Sequence, residues 1–371
     1  MSAGLVMTVL MSLSLVGLTV LAGLTLASTS MNITLQIYIL LSYIIMLLSF
    51  IYFTSFHQPS RSQKALFEIK QRSHLEKTFY MFFLIIGSYG IYKNLYGLTI
   101  NEYLSSVMQF DNDLRVNFEK SSSDTGVSGV FKSAAFFVNG VFIATFASIT
   151  HRKFSNLWLI LISLMMLCKT LVFLDRASLI VMGIVYLTYR QNKMKIGVRT
   201  AFSAVIVFIL LEFATSLRSE TSILTQAAEY MNLGVVNAAL AIDQPFCLDF
   251  GIHTLLAPLN FLMFKLSNVY FIKDCALVDY IENPATNIVG NLHQDFYMFS
   301  FLFYVVYAYF LSFCAKRSPT SPIFYILSVQ FLMNTIMFIG VPPFRGIEFY
   351  ITICCAILLV KIQKPVLKVI N

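Results

Sequence analysis

Residues 252–272 read IHTLLAPLNFLMFKLSNVYFI, and the fold turns on whether this stretch crosses a membrane. A spanning helix needs about 20 consecutive apolar residues, so the length is sufficient. The stretch also holds His253, Pro258, Asn260 and Lys265, which a span would have to bury in hydrocarbon. Counting it as a span would break the alternation of loop charge downstream. We therefore read it as a helix lying at, or dipping into, the outer interface. It then belongs to one long segment, Ser216–Asp295, that is rich in acids and poor in bases. The rest of the chain reads as apolar helices holding this segment on one face of a bilayer.

Composition agrees. Of 371 residues, 58% are hydrophobic and 12% charged, and the mean hydropathy is +0.76. Soluble domains carry about 25% charged residues. Ten stretches have the length and apolarity of spans: 4–27, 33–54, 78–98, 134–150, 154–172, 173–189, 199–216, 296–314, 322–341 and 347–362. The turn between the fifth and sixth falls between Lys169 and Arg176. Ala27 and Ser28 imitate a signal-peptide cleavage site, but no basic region precedes Leu5–Leu26, so it is read as a retained first helix. The expectation is an all-α polytopic membrane protein with a single transmembrane domain, 1–371. A large outer loop spans 217–295 and a smaller one 99–133.

Charge sets the orientation. One set of loops holds 16 of the 26 basic residues, running from Arg61, Lys64, Lys70, Arg72 and Lys77 through Arg152 and Lys153. It continues through Arg190, Lys193, Lys195 and Arg199 to Lys316, Arg317, Lys361, Lys364 and Lys368. Only Glu68 and Glu76 accompany them. Basic loops stay in the cytoplasm, which places both termini there. The net charge of +8 is thus a topology signal, not a nucleic-acid surface. Six cysteines stand without a CxxC or a histidine at ligand spacing, so no metal site and no cofactor is expected. Cys247 and Cys275 share the outer loop, where either a disulfide or free thiols are allowed.

The candidate site gathers on the outer side. Arg176 opens the sixth span in Leu174-Asp175-Arg176-Ala177-Ser178, and Arg345 precedes the tenth in Pro342-Pro343-Phe344-Arg345-Gly346. Both helices run inward, so their free N–H groups and positive dipole ends face out. Two such termini, each with a guanidinium, suit a phosphate or pyrophosphate. Arg218 follows the seventh span at the same level, and Arg115 is in reach from the first outer loop. Local pairing with Asp175, Glu220 or Glu348 is the plainer account of these arginines. The acid–base candidates are Glu212, His293 and Asp295. Glu212 sits about one turn inside the seventh span, a costly place for a carboxylate. His293 and Asp295 lie in Asn291-Leu292-His293-Gln294-Asp295, where the loop re-enters the membrane. A histidine there suits a general base, and Asp295 suits a helix cap.

With these features, the chain resembles bacterial Wzy-type polymerases of lipid-linked oligosaccharide repeat units. The resemblance rests on Leu174–Ser178, similar to the family's outer arginine followed by small residues, and on Asn287–Phe299, similar to its polar-aromatic return into the membrane. The family often has glycine after the Asp-aromatic pair, whereas Tyr297 follows Asp295-Phe296 here. The resemblance implies a GT-C-like glycosyltransferase in the bacterial inner membrane, with the loops 99–133 and 217–295 in the periplasm. It implies undecaprenyl-pyrophosphate-linked oligosaccharide as substrate and a chain-length regulator as protein partner. An O-antigen ligase shares this architecture. A lipid-linked oligosaccharide flippase is the alternative from a different class, but it predicts charges at the midplane and an internal repeat.

Overall fold

Leu5, Val9, Leu13, Val16, Val20 and Leu24 recur at steps of three and four residues, which puts them on one face of a helix. In the computed structural model that helix is α1 (Ala3–Ser28), and this face is exposed along its length. Met7, Met11, Leu15, Leu18, Ala22 and Leu26 form the opposite, buried face. A continuous exposed apolar stripe is unfavourable in water and is what lipid-facing helices carry. The structure describes residues 3–28, 32–56, 67–69, 74–95, 134–149, 154–173, 176–191, 223–243, 288–319, 321–337, 347–363 and 365–367, with Leu256, Leu259, Met263 and Ser267 between them.

After α1 come α2 (Ile33–Phe56), β1 (Phe67–Ile69) and α3 (His74–Leu95). A 3-10 turn at Ala134–Phe136 leads into α4 (Phe137–Ser148), followed by α5 (Asn156–Phe173), α6 (Arg176–Gln191) and α7 (Ile223–Ile242). The chain ends with α8 (Ile288–Phe296), α9 (Ser300–Arg317), α10 (Pro322–Met337), α11 (Ile347–Ile362) and β2 (Pro365–Leu367). Among the described residues, Leu5–Ala27, Ile33–Ser55 and Ile288–Arg317 are long and apolar enough to cross a membrane, and shorter apolar helices fill the remainder. This is the helical build of a membrane protein.

The centre is α4, which packs against α3, α5, α6, α10 and α11. It is buried on nearly every side because small residues let its neighbours close in. A Cβ at Gly140 would lie 2.6 Å from the Cβ of Cys355 on α11. On the other side of the molecule α9 packs along α2 and touches α1 and α10.

Hydrogen bonds between helix ends sort the bundle into two faces. On one, Thr54 Oγ1 at the end of α2 donates to Ser312 Oγ of α9 at 3.3 Å, and Lys316 Nζ donates to the Thr54 carbonyl. There too Ser148 Oγ donates to Gln363 Oε1 at 2.8 Å, and Gln363 reaches Tyr80 Oη at 3.4 Å. The Thr188 and Tyr325 hydroxyls, from α6 and α10, meet at 2.6 Å. The helix ends joined in these three sets of contacts each adjoin a basic loop.

Three details are added to or change the expectations. First, the described residues are helical as expected, apart from one short pair in which Phe67–Ile69 runs antiparallel to Pro365–Leu367. Three-residue strands in polar connections carry too little periodicity to be seen in sequence. Second, the expected outer loop contains α7, which packs on α1, α2 and α8. Its buried face is Gly234, Val235, Asn237, Ala238, Ala239 and Ala241, small and partly polar, so an apolarity scan passes over it. Third, the re-entry helix begins at Ile288, not near residue 296. The expected span 199–216 and the 99–133 loop lie outside the described residues. Of the 252–272 stretch, Leu259, Met263 and Ser267 are helical, with Ser267 Oγ donating to the Met263 carbonyl at 2.7 Å.

Candidate functional site

The face opposite the strand pair holds two nests of buried polar side chains. The first forms where the apolar run Ile288–Arg317 breaks. Helix α8 ends at Phe296, a 3-10 turn covers Tyr297–Phe299, and α9 starts at Ser300. Tyr297 has φ 50°, a left-handed conformation that a bulky residue adopts at a cost of order 1–3 kcal/mol. The junction is held from both sides: Phe296 stacks on Phe303 at 3.7 Å between ring centroids, and Tyr304 Oη donates to the Val289 carbonyl at 3.4 Å. Broken helices at membrane depth are a recurrent way to build binding sites.

His293 sits inside this junction, 6% exposed. Tyr38 of α2 places its hydroxyl 2.9 Å from His293 Nδ1 and 2.9 Å from Ser300 Oγ. The Tyr38 ring meets the imidazole edge-on at 5.3 Å, and the Tyr297 ring flanks it at 4.9 Å. Tyr297 thus combines a left-handed backbone with a ring contact to the histidine. Among the described residues His293 Nε2 makes no hydrogen bond, and it is not one of the sealed-off polar atoms. An imidazole gripped at one nitrogen and open at the other can accept or donate a proton at the open one.

The second nest joins α4, α5 and α6. Lys169 is fully buried and donates from Nζ to Ser178 Oγ at 2.6 Å. Ser178 Oγ also lies 3.3 Å from Asn139 Nδ2 and 3.5 Å from its Oδ1. The Lys169 ammonium stands 4.2 Å from the centre of the Phe136 ring, a cation–π contact. Helix α5 continues through Phe173, so Lys169 lies inside it, with only residues 174 and 175 before α6.

The predicted site residues fare unequally. His293 stands in the first nest. Asp295 is fully buried on the same short helix, as its penultimate residue, and therefore does not cap the helix that follows. That helix, α9, has Phe299 at its N-cap and no side-chain cap. Arg176 is the first residue of α6, as expected, but its side chain lies outside the description. Glu212, Arg115, Arg218 and Arg345 lie outside the described residues, as do Cys247 and Cys275. Sequence reasoning passed over Tyr38, Ser300, Asn139 and Ser178, and took Lys169 only as a boundary. A lysine within the apolar run Leu157–Phe173 and an asparagine within Phe137–Ser148 were visible signals. Tyr38 gave none, since a tyrosine near a span end reads as interface belt. Among the described residues no group of three or more His, Cys, Asp and Glu side chains is placed to hold a metal ion. No protein-family model, curated protein or solved structure matches this chain.

Proposed function

We propose that this chain is a membrane glycosyltransferase that polymerises undecaprenyl-pyrophosphate-linked oligosaccharide repeat units at the periplasmic face of a bacterial inner membrane. The observation that carries the reading is His293: a buried imidazole at a strained helix break, held at Nδ1, with Nε2 outside any hydrogen bond among the described residues. The positive-inside rule puts the face beside the basic loops in the cytoplasm, and hence both nests outside. In the reaction, a sugar hydroxyl of the acceptor unit loses its proton to His293. Its oxygen attacks the anomeric carbon of the donor, and the bond from that carbon to the pyrophosphate oxygen breaks. The electron pair leaves with the pyrophosphate lipid. The start of α6 at Arg176, together with Arg115, Arg218 and Arg345, which lie outside the described residues, is the proposed seat for that leaving charge.

A deletion strain tests the reading. Lipopolysaccharide ending at core plus one repeat unit supports a polymerase. Complete absence of attached repeat units points to a ligase or flippase, and unaltered lipopolysaccharide and capsule overturn the proposal.

A further inference from the structure

We infer that Tyr38 is the residue that positions His293, its hydroxyl fixing the imidazole at Nδ1 so that Nε2 is the nitrogen presented to substrate. The inference rests on the reading of His293 as the acid–base group. A tyrosine hydroxyl has one proton to give and lone pairs to accept with. Here it has two partners at 2.9 Å, His293 Nδ1 and Ser300 Oγ. Tyr304 stands beside Ser300 and directs its own proton to the Val289 carbonyl. Nε2 can take a proton only in the tautomer in which Nδ1–H donates to Tyr38 Oη and Tyr38 in turn donates to Ser300 Oγ, and this is the tautomer the proposal assigns. An imidazole could otherwise flip about its Cβ–Cγ bond and exchange its edges. The Tyr38 ring on one side and the Tyr297 ring on another restrict that rotation. Tyr38 comes from α2, Ser300 from the first turn of α9, and His293 from α8. The hydroxyl therefore ties the two halves of the broken helix to a third helix at the one atom where orientation matters. Loss of such orientation lowers the fraction of histidine in the working tautomer without moving a substrate contact.

The test uses the full chain in detergent, labelled with 15N-histidine. The chain has five histidines, and H293Q identifies the signal of the one concerned. Wild-type protein should show His293 in the Nδ1–H tautomer, and the Nε2–H tautomer would overturn the inference. Tyr38→Phe keeps the ring contacts and removes the hydroxyl, so His293 should become an average of both tautomers. Glycan polymerisation should fall about tenfold, one hydrogen bond's worth, at unchanged membrane abundance. Should Tyr38→Phe fail to accumulate, Ser300→Ala keeps the tyrosine but breaks its second anchor, and should move the same signal less far. An unchanged His293 spectrum in whichever of the two variants folds overturns the inference. Normal glycan from H293Q overturns instead the functional reading beneath it, whatever the spectrum shows.

Discussion

The two polar nests lie on one face of the bundle and solve the same problem differently. Around His293 the helix is broken, one tyrosine is held in a left-handed backbone, and one ring nitrogen stays outside any hydrogen bond among the described residues. Around Lys169 the helices run unbroken, and the ammonium, hydroxyl and amide meet across α4, α5 and α6. Hydrogen bonds of that kind join helices. Backbone strain persists only where the surroundings over-determine it, and it is found beside His293.

The largest effect expected from this difference is at His293. Replacing it with Gln keeps polarity and approximate size but removes the proton-transfer nitrogen. General acid–base groups contribute about 10²–10⁴-fold, so polymerised glycan should fall at least a hundredfold while membrane abundance holds. Gel analysis of glycan length beside an immunoblot of the membranes reads both. A variant that loses protein and glycan in proportion would move His293 into the same class as Lys169.

At the second nest, the order of two variants is diagnostic. Ser178→Ala leaves the buried ammonium without its 2.6 Å acceptor, and a hydrogen bond to a charged group is worth about 2 kcal/mol. Lys169→Met removes the charge while keeping an apolar stem of similar reach. Replacing buried charge by well-packed apolar groups is often neutral or stabilising. Thermal unfolding in detergent should therefore show the smaller change, Ser178→Ala, as the more damaging. The reverse order would mean that the charge itself holds the three helices. If Lys169→Met is stable yet makes no long glycan, the nest is a site and the contrast with His293 collapses.

How much of this was legible in the sequence follows from what each feature costs. Helix α1 was readable as a span because its run Leu5–Leu26 is apolar throughout, but which face meets lipid was not, since the buried Met7, Met11, Leu15 and Leu18 are apolar too. The break between α5 and α6 falls within the expected bracket Lys169–Arg176, but only Arg176 stands at a helix end, because Lys169 lies inside α5. Helix α7 was missed because a helix packed inside a bundle can be small and polar on its buried face. The tyrosine that holds His293 lies 255 residues away from it in the chain, and no local pattern connects them. Asp295 was misread as a cap because the helix boundary was set by apolarity, and α8 begins eight positions before the first residue of the expected span.

The smallest effect is expected at the opposite face, where a comparable buried contact serves neither nest. Thr188 Oγ1 and Tyr325 Oη meet at 2.6 Å between α6 and α10. Thr188 Oγ1 also lies 2.8 Å from the Ile184 carbonyl and 3.0 Å from the Val185 carbonyl, so its proton keeps an acceptor if the tyrosine loses its hydroxyl. Tyr325→Phe therefore strands no donor, and its cost should stay near about 1 kcal/mol. Unfolding should begin slightly earlier, and glycan length should not change. Tyr38→Phe removes the same atom from the same residue type on the other face, and there the prediction is lost product at constant protein. The pair of variants thus separates a hydroxyl that joins helices from one that aims a histidine. Shortened glycan in Tyr325→Phe would mean that any loosening of the bundle disturbs polymerisation, and the place of Tyr38 beside His293 would then explain nothing.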